Sequence, residues 1–188
     1  MLMLSKVQRE VLVGKLLGDG YLGLNGHEAR LQVLHSLKQR DYVDWQYVIF
    51  HEWTKSLPAP LGKGDYRFRT VTHAEFTRYY KLFYPKGVKV VPSNIADYLD
   101  SPLALAVWYM DDGKRRPDCR GFFFDTLSFS ESGQHLLIDC LNQNFGLMDL
   151  RLHWNGDGYH IYAPARNALH FRELVDEYVI PSMRYKLP

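Results

Sequence analysis

Two apolar segments that each end in Asp-Gly constrain the fold of this 188-residue chain more than any other feature of its sequence. The first, LVGKLLGDG, covers residues 12–20, and the second, LAVWYMDDG, covers residues 105–113. When the two are aligned at Asp-Gly, Asp19 falls on Asp112 at an offset of 93 residues. A single Gly-Asp-Gly is usually an ordinary helix C-terminal cap, so the repetition is what gives the motif weight.

A second feature keeps the same offset. A glycine-containing turn precedes Tyr66, and the turn Asn-Gly-Asp-Gly precedes Tyr159. Because two independent features share one spacing, the sequence predicts an internal duplication. We expect the halves to be residues 1–95 and 96–188, each an α+β unit with one sheet whose polar face is not covered by its own helices.

The two motif segments are predicted to be helices that pack against each other. Ser5 and Gln8 form the pattern of a capping box at the start of the first helix, and Ser101-Pro102 starts the second. At helical spacing the contact stripes are Val7, Val11, Gly14 and Gly18 in the first helix and Asp100, Ala104, Val107 and Asp111 in the second. Small residues in both stripes allow close approach, so the helix ends and their aspartates should meet at a pseudo-twofold axis.

Hydrophobic periodicity predicts the remaining elements. Alternating apolar and polar residues predict strands over residues 27–35, 66–71, 121–128, 149–154 and 159–163. Helices are predicted over residues 38–57, 74–84, 130–145 and 166–178.

Composition limits the class of protein without identifying it. A hydrophobic content of 46% is ample for a packed core, and no apolar run reaches the roughly 18 residues of a membrane span. We therefore expect a soluble, intracellular protein. Cys119 and Cys140 are expected to be reduced thiols. A net charge of +2 is too small to indicate a nucleic-acid partner by itself.

The repeated aspartates predict a site for a divalent cation. A carboxylate at a helix C-terminus lies where backbone carbonyls already carry partial negative charge, so two such carboxylates would repel each other without a cation between them. Mg²⁺ suits one or two carboxylates together with water and phosphate oxygens. The unpaired last-turn carbonyls of Gly18 and Asp111 are expected to help.

The two motifs resemble the paired signature motifs of LAGLIDADG homing endonucleases of the single-chain kind encoded by mobile introns. The C-terminal residues 180–188, IPSMRYKLP, resemble the end of the catalytic core in the yeast mitochondrial intron endonuclease of this family. The resemblance implies two αββαββα halves whose antiparallel sheets form a saddle over DNA. It also implies Mg²⁺-dependent cleavage of both strands of a long target with short 3′ overhangs. Mn²⁺ is expected to substitute, and Ca²⁺ to bind without supporting cleavage.

The resemblance also implies roles for individual residues. Asp19 and Asp112 match the metal-binding aspartates, whereas Asp111 is expected to contribute its carbonyl rather than its side chain. Lys89 and Lys186 match a basic residue that the family places near each active site, where it can polarise water or neutralise developing charge. Lys15 departs from the family pattern at a usually apolar position, which predicts a less tightly packed helix interface.

The polar strand faces are predicted to bind DNA. Residues with donors suited to base edges and phosphates are Arg30, Gln32, Arg67, Arg69, Arg151, His153 and His160. Contacts to the DNA backbone are expected from Lys63, Lys114, Arg115, Arg116 and Arg120, which lie in turns or just after the second motif.

Three functions are compatible with these patterns. The favoured one is a monomeric, site-specific double-strand DNA endonuclease. The first alternative is an RNA-binding maturase that assists splicing of its host intron. The second is a DNA-binding regulator that does not cleave, which would have no reason to keep a repulsive pair of acids.

Overall fold

Each half of the chain builds its own four-stranded antiparallel sheet in the computed structural model, which describes residues 2–188. The first half contains α1 (Lys6–Leu17), β1 (Tyr21–Asn25), β2 (Glu28–Ser36), α2 (Arg40–Phe50), β3 (Ala59–Leu61), β4 (Asp65–Arg69) and α3 (Ala74–Phe83). The second contains α4 (Pro102–Asp112), β5 (Gly113–Arg115), β6 (Phe122–Phe124), α5 (Glu131–Phe145), β7 (Arg151–Trp154), β8 (Tyr159–Ala163) and α6 (Ala168–Val175).

The strand order is the same in the two sheets. It is β1-β2-β4-β3 in the first and β5-β6-β8-β7 in the second, and all pairs within both sheets are antiparallel. The predicted α+β class with two sheets is therefore confirmed. The division between residues 95 and 96 stays a prediction.

Several predicted boundaries are wrong. The helix predicted over residues 38–57 ends at Phe50 and continues only as a 3-10 turn, because Thr54 is extended and forms a bridge with Thr70. The strand predicted over 121–128 is limited to three residues, and the final helix is shorter than 166–178. The short strands β1, β3 and β5 were not predicted.

The motif helices α1 and α4 are in direct contact along the predicted stripes. A Cβ atom on Gly14 would overlap the Ala104 carbonyl oxygen and the Val107 side chain, and one on Gly18 would overlap Asp111. Val7, by contrast, is 47% exposed, and Asp100 is exposed and precedes α4, so the first member of each predicted stripe is wrong. The close approach brings the C-terminal ends of both helices together.

Gly14→Ala should therefore weaken this helix contact. Overpacking against a backbone carbonyl is expected to lower the free energy of unfolding by about 1–3 kcal/mol, despite a gain of about 1 kcal/mol in helix propensity. Urea unfolding measures the difference. Gly64→Ala is the matched control, since a Cβ there meets no atom within 4 Å. Equal stability of Gly14→Ala and wild type would show that the helices are not packed this closely.

No helix among residues 2–188 has the length and apolar character needed to cross a membrane. The two cysteines are free thiols, with Cys119 exposed and Cys140 buried.

Candidate functional site

The predicted aspartates lie at the ends of the motif helices. Gly18 caps α1 and is followed by Asp19, whose side chain is 49% exposed. Asp112 is the last residue of α4 and is partly buried, and Gly113 caps that helix. Both carboxylates therefore lie beside last-turn carbonyls, at the negative end of a helix dipole.

A lysine contacts the carbonyl oxygens at each of these helix ends. Lys89 Nζ donates to the carbonyl oxygens of Gly18 at 2.6 Å and Gly20 at 3.1 Å. Lys186 Nζ donates to the carbonyl oxygens of Met110 and Asp111, both at 2.6 Å. One lysine therefore contacts the carbonyl end of each motif helix, next to the motif aspartate in the chain.

Burial perturbs the charged groups of this centre. Burial, followed by repulsion from Asp19, Asp111 and Asp125, raises the pKa of Asp112 to about 8. Burial also lowers the pKa of Lys89 to about 8 and lowers the pKa of Lys186. The centre therefore disfavours an ionised Asp112 unless further positive charge is supplied.

The raised pKa of Asp112 predicts a pH-dependent stability. In the folded protein the Asp112 carboxyl keeps its proton up to about pH 8. In the unfolded chain the same carboxyl has the ordinary pKa of 3.8 and is ionised above that pH. The folded state binds more protons between these values, so its stability falls as pH rises through this window. In EDTA, the Tm of Asp112→Asn relative to wild type should increase from pH 4 to pH 8. The exposed control Asp139→Asn should show no such trend, and a constant difference for Asp112→Asn would contradict the raised pKa.

Lys15 forms a buried ion pair between the two motif helices. Its side chain is fully buried, and Nζ lies 2.8 Å from both carboxylate oxygens of Asp111 and 2.8 Å from His35 Nε2. The backbone N–H of Asp19 also donates to Asp111 Oδ2 at 2.9 Å, and His35 Nε2 lies 3.7 Å from Oδ1. The positive charge that Lys15 introduces at a usually apolar position is thus paired with the carboxylate of Asp111 on α4, and the two helices remain in contact.

This network also explains a cluster of potential metal ligands. One ligand atom each from Asp19, His35 and Asp111 lies within 4.8 Å of the others. The Lys15 ammonium already lies against two of these three residues. Burial, followed by the charge of Lys15, lowers the pKa of His35 to about 3, so its ring is neutral. The Asp111 carboxylate is therefore engaged by protein groups.

The outer face of the first sheet carries the predicted donors. Alternation places Arg30, Gln32, Arg67 and Arg69 opposite the buried residues Leu31, Val33 and Phe68, and Gln32 is the register partner of Arg69. Within residues 2–188, none of these three arginines forms an ion pair with a carboxylate, and the Nε atoms of Arg30 and Arg69 are buried without a hydrogen-bond partner. Lys63 is exposed in the turn before β4.

The second sheet presents its predicted residues less uniformly. Arg151 and His153 are exposed on one face of β7, and Lys114 lies on the same side of the sheet. Three other predicted residues do not contribute an exposed, unpaired cationic side chain to this face. His160 is only 7% exposed, and its Nδ1 lies 3.5 Å from Asp125. Arg115 is the register partner of buried Phe122, so its side chain lies on the opposite face of the sheet. Arg116 is paired with Asp118 at 2.6 Å. Arg120 is exposed in the loop before β6.

Comparison with known proteins agrees with this geometry. A family model described as "LAGLIDADG DNA endonuclease family" matches residues 9–171. "Probable intron-encoded endonuclease 1" of Wickerhamomyces canadensis is 27% identical over 98% of this chain and 85% of its own length. "DNA endonuclease I-ChuI" of Chlamydomonas applanata is 30% identical over 98% of this chain and 95% of its own length. The structure of "the homing endonuclease I-WcaI bound to its DNA recognition sequence" superposes with a TM-score of 0.90, at 28% identity, over 100% of this chain and 88% of that one.

Two motif helices with acids at their ends are joined to two sheets, the first of which presents three arginines on its outer face, and this is the arrangement of a DNA-cleaving enzyme. The chain belongs to the LAGLIDADG DNA endonuclease family and is an endodeoxyribonuclease.

Proposed function

We propose that this enzyme is a monomeric homing endonuclease that cleaves both strands of a long, asymmetric double-stranded DNA site. The observation that carries the proposal is the repeated helix end, at which Lys89 contacts the Gly18 carbonyl just before Asp19 and Lys186 contacts the Asp111 carbonyl just before Asp112. Two sets of such groups within one chain can act on one phosphodiester in each DNA strand, so a second copy of the chain is not needed. Short 3′ overhangs follow from the family resemblance.

The donor set fits Mg²⁺. Asp19 and Asp112 offer carboxylate oxygens, and the carbonyls of Gly18 and Asp111, although each accepts from a lysine, keep a second lone pair. An all-oxygen set with few carboxylates is what Mg²⁺ prefers, and Mn²⁺ should substitute. When bound there, the cation would stabilise negative charge on the phosphate and lower the pKa of a water molecule.

The protein's own groups supply position and charge. Lys89 and Lys186 are held by backbone carbonyls, so their ammonium groups need no rearrangement to face a phosphate beside the aspartates. The sheet faces described above would contact bases and DNA phosphates. Since the substrate is DNA inside a cell, we place the enzyme in the cytoplasm of a prokaryote or in an organelle of a eukaryote.

Selection from a random DNA library tests this proposal. Supercoiled plasmids with random inserts are incubated with the protein and Mg²⁺, Mn²⁺ or Ca²⁺, and linear products are captured and sequenced. A single long consensus cut with Mg²⁺ or Mn²⁺, but not with Ca²⁺, is the expected result. If no insert is cut, the proposed endonuclease function is wrong, and the maturase and the DNA-binding regulator are the remaining candidates. A protein that binds a DNA consensus without cutting it is a regulator, and one that binds structured intron RNA in preference to duplex DNA is a maturase.

Lys89→Met and Lys186→Met should each slow cleavage roughly 100- to 1,000-fold, because a preorganised charge near the reacting phosphate is lost. Each lysine serves a different helix end, so each variant should accumulate nicked circular plasmid. Agarose gels of nicked and linear products measure this effect. Lys81→Met, at an exposed position on α3, should keep normal cleavage. Normal cleavage by the Lys89 and Lys186 variants would remove both residues from the proposed site.

A further inference from the structure

His35 lies between the buried Lys15 and the candidate metal ligand Asp19. It is a buried residue near the end of β2. Its Nε2 is 2.8 Å from Lys15 Nζ, and its Nδ1 is 3.7 Å from Asp19 Oδ2. The Tyr42 ring packs against it, with the two ring centroids 5.1 Å apart. One imidazole ring therefore faces a buried cation with one nitrogen and a motif carboxylate with the other.

Lys15 determines which nitrogen of His35 carries the proton. An ammonium group donates hydrogen bonds and cannot accept them, so Nε2 of the neutral ring accepts from Lys15. The ring proton therefore lies on Nδ1, the nitrogen that faces Asp19 Oδ2. A separation of 3.7 Å is longer than a hydrogen bond. The Asp19 side chain is half-exposed, however, so a small rotation of its carboxylate brings it to the donor.

The backbone of Asp19 is held by the same buried network. Asp111 Oδ2 accepts from the Asp19 N–H at 2.9 Å, and both oxygens of that carboxylate lie 2.8 Å from Lys15 Nζ. Lys15 therefore connects the group that holds the Asp19 backbone to the ring that faces its side chain. Asp19 follows the helix cap Gly18, so α1 alone does not fix its position.

The second motif aspartate lacks such a network. The shared offset of 93 residues and the register of the first two strands in each sheet give the counterparts of Lys15, Asp111 and His35 as, in that order, Trp108, Gly18 and Thr126. None of these three residue types carries a charge. In the second half, His160 faces a different carboxylate, with its Nδ1 3.5 Å from Asp125 Oδ1. The network therefore acts on Asp19 alone.

We propose that His35 is a positioning residue for Asp19 and affects only the DNA strand that is cut at the first motif. Lys15 and Asp111 fix the ring and the Asp19 backbone, and His35 orients the Asp19 carboxylate toward the cation. Hydrogen-bond partners of metal ligands typically contribute about 10- to 100-fold in metal affinity or activity. The inference rests on the proposed function and adds to it an inequality between the two cleavage sites.

Three substitutions of His35 separate positioning from packing. The amide nitrogen of His35→Asn lies near the place of Nδ1, so it can still donate to Asp19, but the side chain does not reach Lys15. The longer side chain of His35→Gln places its amide near Nε2, so it can accept from Lys15 but offers Asp19 no donor. His35→Leu has neither group. Val33→Ala, at a fully buried position on the same strand, is the control for lost stability.

The cutting rate of each DNA strand is measured in Mg²⁺ with a selected duplex whose strands carry different fluorophores. The strand that Lys89→Met slows is the one cut at the Asp19 site. His35→Gln and His35→Leu should slow that strand about 10- to 100-fold and change the other less than about twofold. His35→Asn should keep most of the rate, and Val33→Ala should show no strand preference. Thermal melts should rank His35→Gln above His35→Asn, the reverse of their cutting rates.

Ca²⁺ binding tests the same inference without cleavage. Ca²⁺ is titrated calorimetrically into the protein bound to the selected duplex, in the Asp112→Asn background, where Asp19 is the remaining motif carboxylate. Adding His35→Leu should weaken Ca²⁺ binding about 10-fold or more. In the Asp19→Asn background, the same substitution should change Ca²⁺ affinity less than about twofold.

Three results would overturn the inference while the proposed function stands. They are equal slowing of both strands by His35→Leu, cutting rates of the His35 variants that follow their melting temperatures, and an unchanged Ca²⁺ affinity in the Asp112→Asn background. If the wild-type protein cuts neither strand of any duplex, the proposed function fails, and the inference fails with it.

Discussion

Asp19→Asn and Asp112→Asn are each expected to lower the rate of double-strand cleavage by roughly 1,000-fold or more, about 4 kcal/mol of transition-state stabilisation. Asparagine keeps the shape of the side chain but removes the negative charge that would hold a divalent cation. DNA binding should change little, because the sheet faces that carry the arginines are not altered. Cleavage of the selected site in Mg²⁺ and a gel-shift assay of the same duplex measure the two properties.

Asp139→Asn, on the exposed side of α5, is the matched control and should cleave at the wild-type rate. Undiminished cleavage by either motif variant would refute the assignment of these two carboxylates. Loss of DNA binding together with cleavage would instead assign them a structural role.

Lys15→Met should lower the free energy of unfolding by about 3–5 kcal/mol, because it leaves the buried carboxylate of Asp111 without its cation. Both side chains are fully buried, so solvent does not screen the unpaired charge. For a chain of this length such a loss corresponds to a decrease in Tm of roughly 6–20 °C. Urea unfolding at pH 7 measures the change.

The double variant Lys15→Met/Asp111→Asn separates charge from packing. The amide introduced by Asp111→Asn carries no charge to pair, and its side-chain oxygen could still accept from the backbone N–H of Asp19, as the carboxylate does. The double variant should therefore be more stable than either single variant, with a coupling energy of up to about 3 kcal/mol. Additive losses would show that the pair does not act as a unit.

Much of the fold could be predicted from local sequence signals. The capping box of Ser5 and Gln8 is present at the start of α1, and Ser101 and Pro102 start α4 as expected. These features depend on residues within one turn of each other, so periodicity and cap chemistry are enough to find them. The strands β3 and β5 could not be predicted in this way, because three residues are too few to show alternation.

The candidate site was only partly visible in the sequence. The repeat singles out Asp19 and Asp112, since a shared offset needs no knowledge of contacts. The pairing of Lys15 with Asp111 joins residues that are 96 positions apart, and nothing local indicates it. The available signal was a lysine inside the apolar residues 11–17 of α1 and an aspartate directly after the apolar residues 102–110 of α4. Buried charges are stable only when they are paired, so two such charges predict a pair. His35 gave no signal beyond its place at the end of a strand.

The Lys15–Asp111 pair has a consequence for exchanging halves between related enzymes. A chimera that joins the first half of this chain to the second half of a relative would place Lys15 opposite whatever residue the relative carries at the Asp111 position. An apolar residue at that position would leave the Lys15 ammonium buried without its carboxylate. The reciprocal chimera, with the second half of this chain, would leave the Asp111 carboxylate buried without its cation. The two halves are thus matched by a single complementary charge, and a viable recombinant must inherit both members or neither.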